Sequence, residues 1–266
     1  MGDQSHMSGY GSVSDISAEL KTASGHELER LIERYAADPR TGVRSAVAKA
    51  RKRAEKHARL VAETREKYRL MRELGGDGVV VGVDEVGRGA VAGPLTVAAV
   101  CLPEEPLVLG LNDSKQLAPE RRVELARQIR ACAAGIGIAH IPPEVIDEQG
   151  MASCLRQAMA EAVENTGLDP DAVLIDGNPV HAHPKERCIV KGDAKIACIA
   201  AASIVAKVTR DELMVAADAE FPGYHLAQSK GYASPDHIAA IKRLGLSEFH
   251  RRSFCQGFLD NQPRLF

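Results

Sequence analysis

Four carboxylates are the residues of this sequence best suited to chemistry: Asp84, Glu85, Asp176 and Asp193. They close apolar runs that predict three separate buried strands. In open α/β sheets, sites form where strands end, because the connecting loops diverge there. A buried, unpaired carboxylate is costly, so we expect a cation beside these groups. An exposed Asp-Glu pair at the mouth of a hairpin is the alternative for Asp84 and Glu85.

The kind of cation follows from the ligand atoms. Four carboxylates without a matching His or Cys partner predict hard cations, either Mg²⁺ or Mn²⁺. Two such ions about 4 Å apart can activate a water molecule and stabilise the leaving oxygen of a phosphodiester. Zinc is disfavoured, because His181 and His183 lie in a Pro-flanked loop without further ligands. The sequence shows no Ser-His-Asp or Cys-His arrangement.

A second group of residues is suited to contacting the rest of a substrate. Two glycines around an arginine let the backbone bend and let a ligand approach it closely, although their spacing is not that of a dinucleotide-binding loop. A polar loop and one helix face could contact phosphates, with helix capping and solvation as the alternative roles. These candidates are Gly87, Arg88, Gly89, Ser114, Lys115, Ser203 and Lys207.

The pattern of apolar residues predicts an α/β domain around these groups. Period-two and β-branched runs predict strands, and amphipathic or Ala-rich stretches bounded by Pro and Gly predict helices. We expect strands at 79–83, 95–102, 135–141, 172–177 and 188–193. We expect helices at 119–134, 143–148, 151–166, 195–219 and 234–244. The last dozen residues show no clear pattern.

The N-terminal part has a different composition. Residues 1–75 hold 15 Lys/Arg against 11 Asp/Glu, a net charge of +4, whereas the remainder holds 19 against 25, a net of −6. We expect a disordered tail over 1–13 and a basic helical extension over 14–75. Its first helix would be capped by Ser14 or Asp15, and a long helix would run over 43–73. That helix could clamp a phosphate backbone or form a solvated helical hairpin.

Composition excludes several classes of protein. The chain has 266 residues and a net charge of −2, and it contains no run of about eighteen apolar residues of the kind that spans a membrane. The first fifteen residues are polar and lack the apolar core of a signal peptide. Met7 is an alternative start, which would make residues 1–6 a vector remnant. Six cysteines without a Cys-x-x-Cys pair predict reduced core residues of a cytoplasmic protein.

Taken together and in order, the motifs closely resemble bacterial ribonuclease HII over residues 79–255. The basic extension resembles the long-form subset of that family. Six motifs in register are specific, whereas each alone carries a false-positive risk. They are Asp84-Glu85-Val-Gly87-Arg88-Gly89, Asn112-Asp113-Ser114-Lys115, Ile175-Asp176-Gly177, Lys191-Gly192-Asp193, Ser203-Ile-x-Ala-Lys207-Val-x-Arg210-Asp211 and Lys230-Gly231-Tyr232.

The resemblance implies a ribonuclease H-like fold, with a mixed five-stranded sheet flanked by helices over 76–258 and a helical C-terminal portion. It implies an endonuclease that cuts RNA hybridised to, or embedded in, DNA and leaves 3′-hydroxyl and 5′-phosphate ends. The four carboxylates would bind two Mn²⁺ or Mg²⁺ ions, with Asp84 bridging both and Asp211 as a rival for the place of Asp193. Tyr232 would stack on the sugar beyond the ribonucleotide.

Several alternatives stay open at this stage. A ribonuclease HIII would carry Gly-Lys-Gly in place of Gly87–Gly89, and a non-catalytic hybrid-binding module would not need the carboxylates. We expect a monomer without a membrane partner. In the tail over 259–266, Gln262, Leu265 and Phe266 resemble the peptide with which bacterial repair proteins bind the DNA polymerase sliding clamp. Packing of these apolar residues against the C-terminal helices is the alternative.

Overall fold

The structure is a computed structural model that describes residues 11–259. The chain divides into two compact units, Met1–Glu63 and Thr64–Phe266. The boundary falls within one long helix, so its last turns belong to the second unit.

The described part of the N-terminal unit is helical. It contains α1 (Val13–Thr22), α2 (Gly25–Arg34) and the first part of α3 (Thr41–Gly75). The N-cap of α1 is Ser12, not Ser14 or Asp15 as the sequence suggested. The Ser12 hydroxyl accepts the Asp15 amide at 3.1 Å, while the Asp15 carboxylate accepts the Ser12 amide at 3.3 Å. This reciprocal pair satisfies two donors that the first turn leaves unpaired.

The C-terminal unit is built on a mixed five-stranded sheet, as expected. Its strands are β1 (Val80–Val86), β2 (Leu95–Cys101), β3 (Gly135–Ile141), β4 (Ala172–Asp176) and β5 (Glu186–Ile189). The spatial order is β3-β2-β1-β4-β5. β2 pairs antiparallel with both β1 and β3, whereas β4 pairs parallel with β1 and with β5. β1 and β4 are therefore central neighbours that point the same way.

Helices cover both faces of this sheet: α4 (Pro119–Cys132) and α8 (Ala197–Glu220) on one, and α5 (Pro143–Gln149) and α6 (Met151–Glu164) on the other. The short α7 (Gly192–Lys195) precedes α8. The last three helices, α9 (Leu226–Ser229), α10 (Pro235–Leu244) and α11 (Arg252–Leu259), form a separate apolar cluster with the C-terminal part of α8. The short α9 and the terminal α11 were not predicted. The fifth strand was also placed wrongly: it ends at Ile189, and Asp193 lies in the first turn of α7.

The long helix α8 lies directly against the centre of the sheet. Gly82 on β1 makes this possible, because a Cβ there would collide with the backbone of Cys198 and Ile199 at the start of α8. The end of α3 joins the same core through Tyr68 and Met71, which are 2% and 4% exposed. Burial raises the pKa of Tyr68 to about 12. No helix in the described residues is long and apolar enough to cross a bilayer.

Candidate active site

The sheet brings two of the predicted carboxylates side by side. On the parallel neighbours β1 and β4, Val83 lies opposite Ile175, so the next residue on each strand is Asp84 and Asp176. Glu85 follows on β1. The Gly192 amide donates to Asp176 Oδ1 at 2.7 Å, which ties the turn that carries Asp193 to the end of β4. Three connected segments therefore deliver the four acids to one edge of the sheet.

The charges of these carboxylates oppose one another. The Asp84 side chain is buried, and burial, together with the charges of Glu85 and Asp176, holds the pKa of its carboxyl well above the ordinary value. Burial also raises the pKa of Glu85, although the Arg88 guanidinium, 3.6 Å away, opposes this effect. Asp193 has a pKa raised by burial and then by Asp176. The site would be stabilised by added positive charge.

The donor set fits hard divalent cations. Ionised carboxylates are acceptors only, and one of them is almost entirely buried among like charges. Within residues 11–259, no three His, Cys, Asp or Glu side chains already enclose a single ion position. Oxygen donors of this kind are the ligands that hard divalent cations prefer.

A buried pair of hydroxyls supports Asp84. Ser114 and Ser203 are 3% and 5% exposed, and their hydroxyl oxygens lie 3.0 Å apart. The Ser203 hydroxyl also bonds the Asp84 carboxylate and lowers its pKa. Lys115, next along the loop, is exposed, and its charge lowers the pKa of Asp193. Phosphate contacts by the two serines stay a prediction, while their visible role is to orient a carboxylate.

Lys207 and its neighbour Asp211 form an ion pair on α8. Lys207 Nζ lies 2.6 Å from Asp211 Oδ1, and both side chains are largely buried. Burial lowers the pKa of Lys207, whereas the hydrogen bond and charge of Asp211 raise it. The ion-pair partner of Asp211 is therefore Lys207, four residues earlier on the same helix. Asp193, which the Gly192–Asp176 bond places beside β4, is the better candidate for the fourth carboxylate.

Two buried arginines hold the glycine-rich loop, residues 87–94. Neither was among the candidate site residues chosen from the sequence. Arg210 donates to the carbonyl oxygens of Pro94, Lys230 and Ala92 at 2.8, 2.7 and 3.0 Å. Gly87 has φ +84°, and a Cβ there would collide with the Arg210 guanidinium, so the loop passes directly over this side chain.

Arg251 supports the same loop from the other end of the chain. It donates twice to the Gly93 carbonyl, at 3.0 and 2.8 Å, and once to the Arg88 carbonyl at 3.1 Å. Burial and the charge of Arg210 lower the pKa of Arg251 to about 10. Both guanidinium groups are completely buried among backbone acceptors. The path of the Gly87–Pro94 segment therefore depends on two charged groups far along the sequence.

Tyr232 lies beside this loop and is 37% exposed. The Arg210 guanidinium carbon lies 5.6 Å from the centre of its ring, which is within the range of a cation–π contact. Arg210 thus touches both the glycine-rich loop and the tyrosine. Of the remaining predicted residues, Gln262, Leu265 and Phe266 lie outside the described part of the chain.

Comparisons with known proteins decide the family. The family model "Ribonuclease HII" matches residues 81–257, and the model "Ribonuclease HII N-terminal domain" matches residues 12–74. The chain belongs to the ribonuclease HII family. The expected family and its fold are confirmed, and the family match favours ribonuclease HII over the ribonuclease HIII alternative. Ribonuclease HII is a family of metal-dependent endonucleases.

Individual relatives agree with this assignment. Ribonuclease HII of Geobacillus kaustophilus is 43% identical over 220 residues, which cover 82% of this chain and 84% of that protein. The Listeria monocytogenes protein is 39% identical over 245 residues, covering 91% and 94%. A structure of the PCNA:RNase HII complex from Archaeoglobus fulgidus has a TM-score of 0.58 at 28% identity and covers 65% of this chain and 94% of that chain.

Proposed function

We propose that this ribonuclease HII cleaves the RNA strand of RNA–DNA hybrids and also cuts at single ribonucleotides within duplex DNA. The products would carry 3′-hydroxyl and 5′-phosphate ends. The observation that carries the proposal is the adjacency of Asp84 and Asp176 on parallel strands, with Glu85 and Asp193 within electrostatic reach. A hybrid-binding module without catalysis would have no use for such mutually destabilising charges.

Asp84, Glu85, Asp176 and Asp193 would hold two divalent cations, Mn²⁺ or Mg²⁺. Bound metal would supply a water of lowered pKa and a positive charge for the leaving oxygen. The chain itself contributes orientation: the Ser114–Ser203 pair fixes Asp84, and the Gly192 amide fixes Asp176. Holding the ligands rigidly in place reduces the cost of organising the reacting groups.

The choice of a ribonucleotide requires contacts to its 2′-hydroxyl, the group that distinguishes RNA from DNA at one nucleotide. We assign this task to the Gly87-Arg88-Gly89 loop, whose backbone can approach the sugar because the two glycines carry no Cβ. Arg88 is 63% exposed at the side chain and can add donors. Tyr232, held over Arg210, would stack on the next sugar and read the RNA-to-DNA junction.

A direct test uses three duplexes of one sequence: all DNA, DNA with one ribonucleotide, and an RNA–DNA hybrid. The protein is incubated with each in Mg²⁺, in Mn²⁺ and in chelator, and the ends of the products are identified. We expect cutting of the two ribonucleotide-containing duplexes only, and only with metal. Asp84→Asn is the control for a contaminating nuclease. Cutting of the all-DNA duplex, or activity that survives in Asp84→Asn, would refute the proposal.

The basic face of the N-terminal unit would add affinity for the phosphate backbone. Lys49, Lys52 and Lys56 are exposed on α3, whereas Arg53 on the same helix donates to three carbonyls at the end of α1. Changing the three lysines to glutamate should weaken binding of every duplex and flatten its salt dependence. Unchanged affinity at low salt would favour a solvated structural arm.

Gln262, Leu265 and Phe266 could dock on the DNA polymerase sliding clamp. The support is the similarity of Gln-x-x-Leu-Phe to clamp-binding peptides, and the Archaeoglobus fulgidus relative is found in a complex with PCNA. Pro263 stands where such peptides usually have an aliphatic residue. Removing residues 262–266 should abolish clamp binding and leave cleavage of a short duplex unchanged. Unchanged clamp binding, or loss of cleavage, would contradict this assignment.

A further inference from the structure

A buried pair of histidines lies behind the Tyr232 loop. His237, in the first turn of α10, and His250, just before α11, are 0% and 2% exposed. Their Nε2 atoms lie 3.1 Å apart. His237 Nδ1 lies 2.9 Å from the Tyr232 carbonyl oxygen, and the Ser247 amide donates to His250 Nδ1 at 3.1 Å. The two imidazoles thus link the Tyr232 carbonyl to the turn that precedes α11.

The backbone groups at the two ends fix the position of every proton in this chain. The Tyr232 carbonyl can only accept, so His237 Nδ1 must carry a hydrogen. The Ser247 amide can only donate, and the Ser247 hydroxyl, 2.8 Å from the same nitrogen, can donate as well, so we assign His250 Nδ1 as the unprotonated acceptor. With both rings neutral, His250 Nε2 therefore donates to His237 Nε2. Burial favours the neutral form of both rings. It lowers the pKa of His237, and it lowers the pKa of His250 to about 4.

The same histidines join the two segments assigned to substrate recognition. His250 forms a β-bridge with Ala92 on the glycine-rich segment. On either side of it, the Phe249 carbonyl accepts the Gly93 amide at 2.8 Å and the Arg251 amide donates to the Val91 carbonyl at 2.8 Å. His237 contacts the backbone of Tyr232 itself. The two segments are also joined directly, because the Gly231 carbonyl accepts the Val91 and Ala92 amides at 2.9 and 3.1 Å. The His–His bond adds a second connection between them.

We propose that the His237–His250 pair is a positioning relay that fixes Tyr232 relative to the Gly87–Pro94 loop and thereby sets the preference for isolated ribonucleotides. This inference rests on the proposed function and extends it to residues with no contact to substrate. An isolated ribonucleotide offers one sugar to the loop and one junction to the tyrosine, so both must be held at a fixed separation. A hybrid tract offers many registers and tolerates a looser arrangement.

Two substitutions at His237 separate its two hydrogen bonds. The amide nitrogen of Asn is three bonds from Cα, as Nδ1 is, so His237→Asn can keep the bond to the Tyr232 carbonyl and loses the bond to His250. The amide of Gln is four bonds away, as Nε2 is, so His237→Gln keeps the reach to His250 and loses Tyr232. His250→Gln can still donate to His237 but no longer accepts from Ser247.

The measurement is kcat/KM on the single-ribonucleotide duplex and on the hybrid tract, with melting temperature as the check of folding. We expect His237→Gln to lower kcat/KM on the single ribonucleotide about tenfold, equivalent to about 1.4 kcal/mol, and on the tract by less than about threefold. The kcat/KM values of His237→Asn and His250→Gln on the single ribonucleotide should lie between those of His237→Gln and wild type. His26→Gln, at a fully exposed site, serves as the matched control.

A double variant shows whether the relay acts through the tyrosine. If it does, adding His237→Gln to Tyr232→Ala should cause little further loss, because the group being positioned is already absent. Additive losses, or equal losses on both substrates, would refute the relay and indicate a general packing role. A wild-type protein that cuts neither substrate would instead refute the proposed function, and this inference with it. Unchanged selectivity in folded His237→Gln and His250→Gln would refute the relay alone.

Discussion

Replacing Arg210 with lysine tests how the recognition loops are held. The substitution keeps the positive charge and most of the length of the side chain, so it isolates the geometry of the guanidinium. Arg210 donates to three carbonyls that lie in different directions, on Pro94, Ala92 and Lys230. An ammonium at the end of a single stem cannot reach all three, whereas the planar guanidinium can.

The expected loss of stability follows from the number of bonds broken. If lysine keeps one of the three contacts, two hydrogen bonds to a charged donor are lost at about 1.5 kcal/mol each, or roughly 3 kcal/mol in total. For a protein of this size, about 1 kcal/mol corresponds to roughly 2–4 °C in melting temperature, so we expect a decrease of about 6–12 °C. The buried charge would stay, now with fewer acceptors, which adds to the loss.

The functional consequence should be a loss of selectivity, because Arg210 contacts both loops. We expect kcat/KM for the single-ribonucleotide duplex to fall at least about tenfold, and that for a hybrid tract to fall less. Arg127→Lys is the matched control, since Arg127 is 71% exposed and pairs with Glu124 on the surface of α4. It should change the unfolding free energy by less than about 0.5 kcal/mol. An Arg210→Lys protein with the stability and selectivity of wild type would refute this account of the loop.

Four further outcomes follow from the site. Asp84→Asn should reduce cleavage below a few per cent but raise the melting temperature of the metal-free protein. Because the folded pKa of Asp84 is raised, the metal-free wild type should lose stability as pH rises above about 4, as chelator-treated melts would show. Tyr232→Ala should weaken cutting at single ribonucleotides more than cutting of hybrid tracts, measured by kcat/KM. Asp193→Asn should impair metal-dependent cleavage more than Asp211→Asn does. If Asp211→Asn causes the larger loss, Asp211 and not Asp193 is the fourth metal ligand.

The sequence predicted the strands well where a β-branched run ended in a turn residue. β3 was predicted over Gly135–Ile141, and the structure has it there. The fifth strand failed for a local reason. The apolar character continues through Val190, but Lys191 adopts φ +58°, and this left-handed residue turns the chain into α7. Periodicity cannot register such a turn when the residue that makes it is not glycine.

The carboxylates could be selected from the sequence because charged groups at the ends of apolar runs are unusual. The buried residues that hold the recognition loops could not be selected in this way, because hydrophobic periodicity does not reveal a buried polar side chain. One signal was available for Arg210: it is spaced four residues from Ala206 and Met214 on α8, a face that the structure buries. A charge on a buried helix face requires partners, and here they are carbonyls on segments more than a hundred residues away in sequence, Ala92 and Pro94.

The residues proposed for metal binding and those that hold the recognition loops lie in different parts of the fold. The carboxylates lie on and beside two central parallel strands, where the sheet fixes them and the ions proposed to bind there would oppose their repulsion. The loops that would recognise the substrate have no regular structure and are held by Arg210, Arg251 and the His237–His250 pair. Changes to these four residues should therefore alter which substrate is cut while leaving the affinity for metal close to that of wild type. Changes to the carboxylates should weaken metal affinity and leave substrate preference close to that of wild type. Metal affinity and substrate preference can therefore be measured independently on one protein.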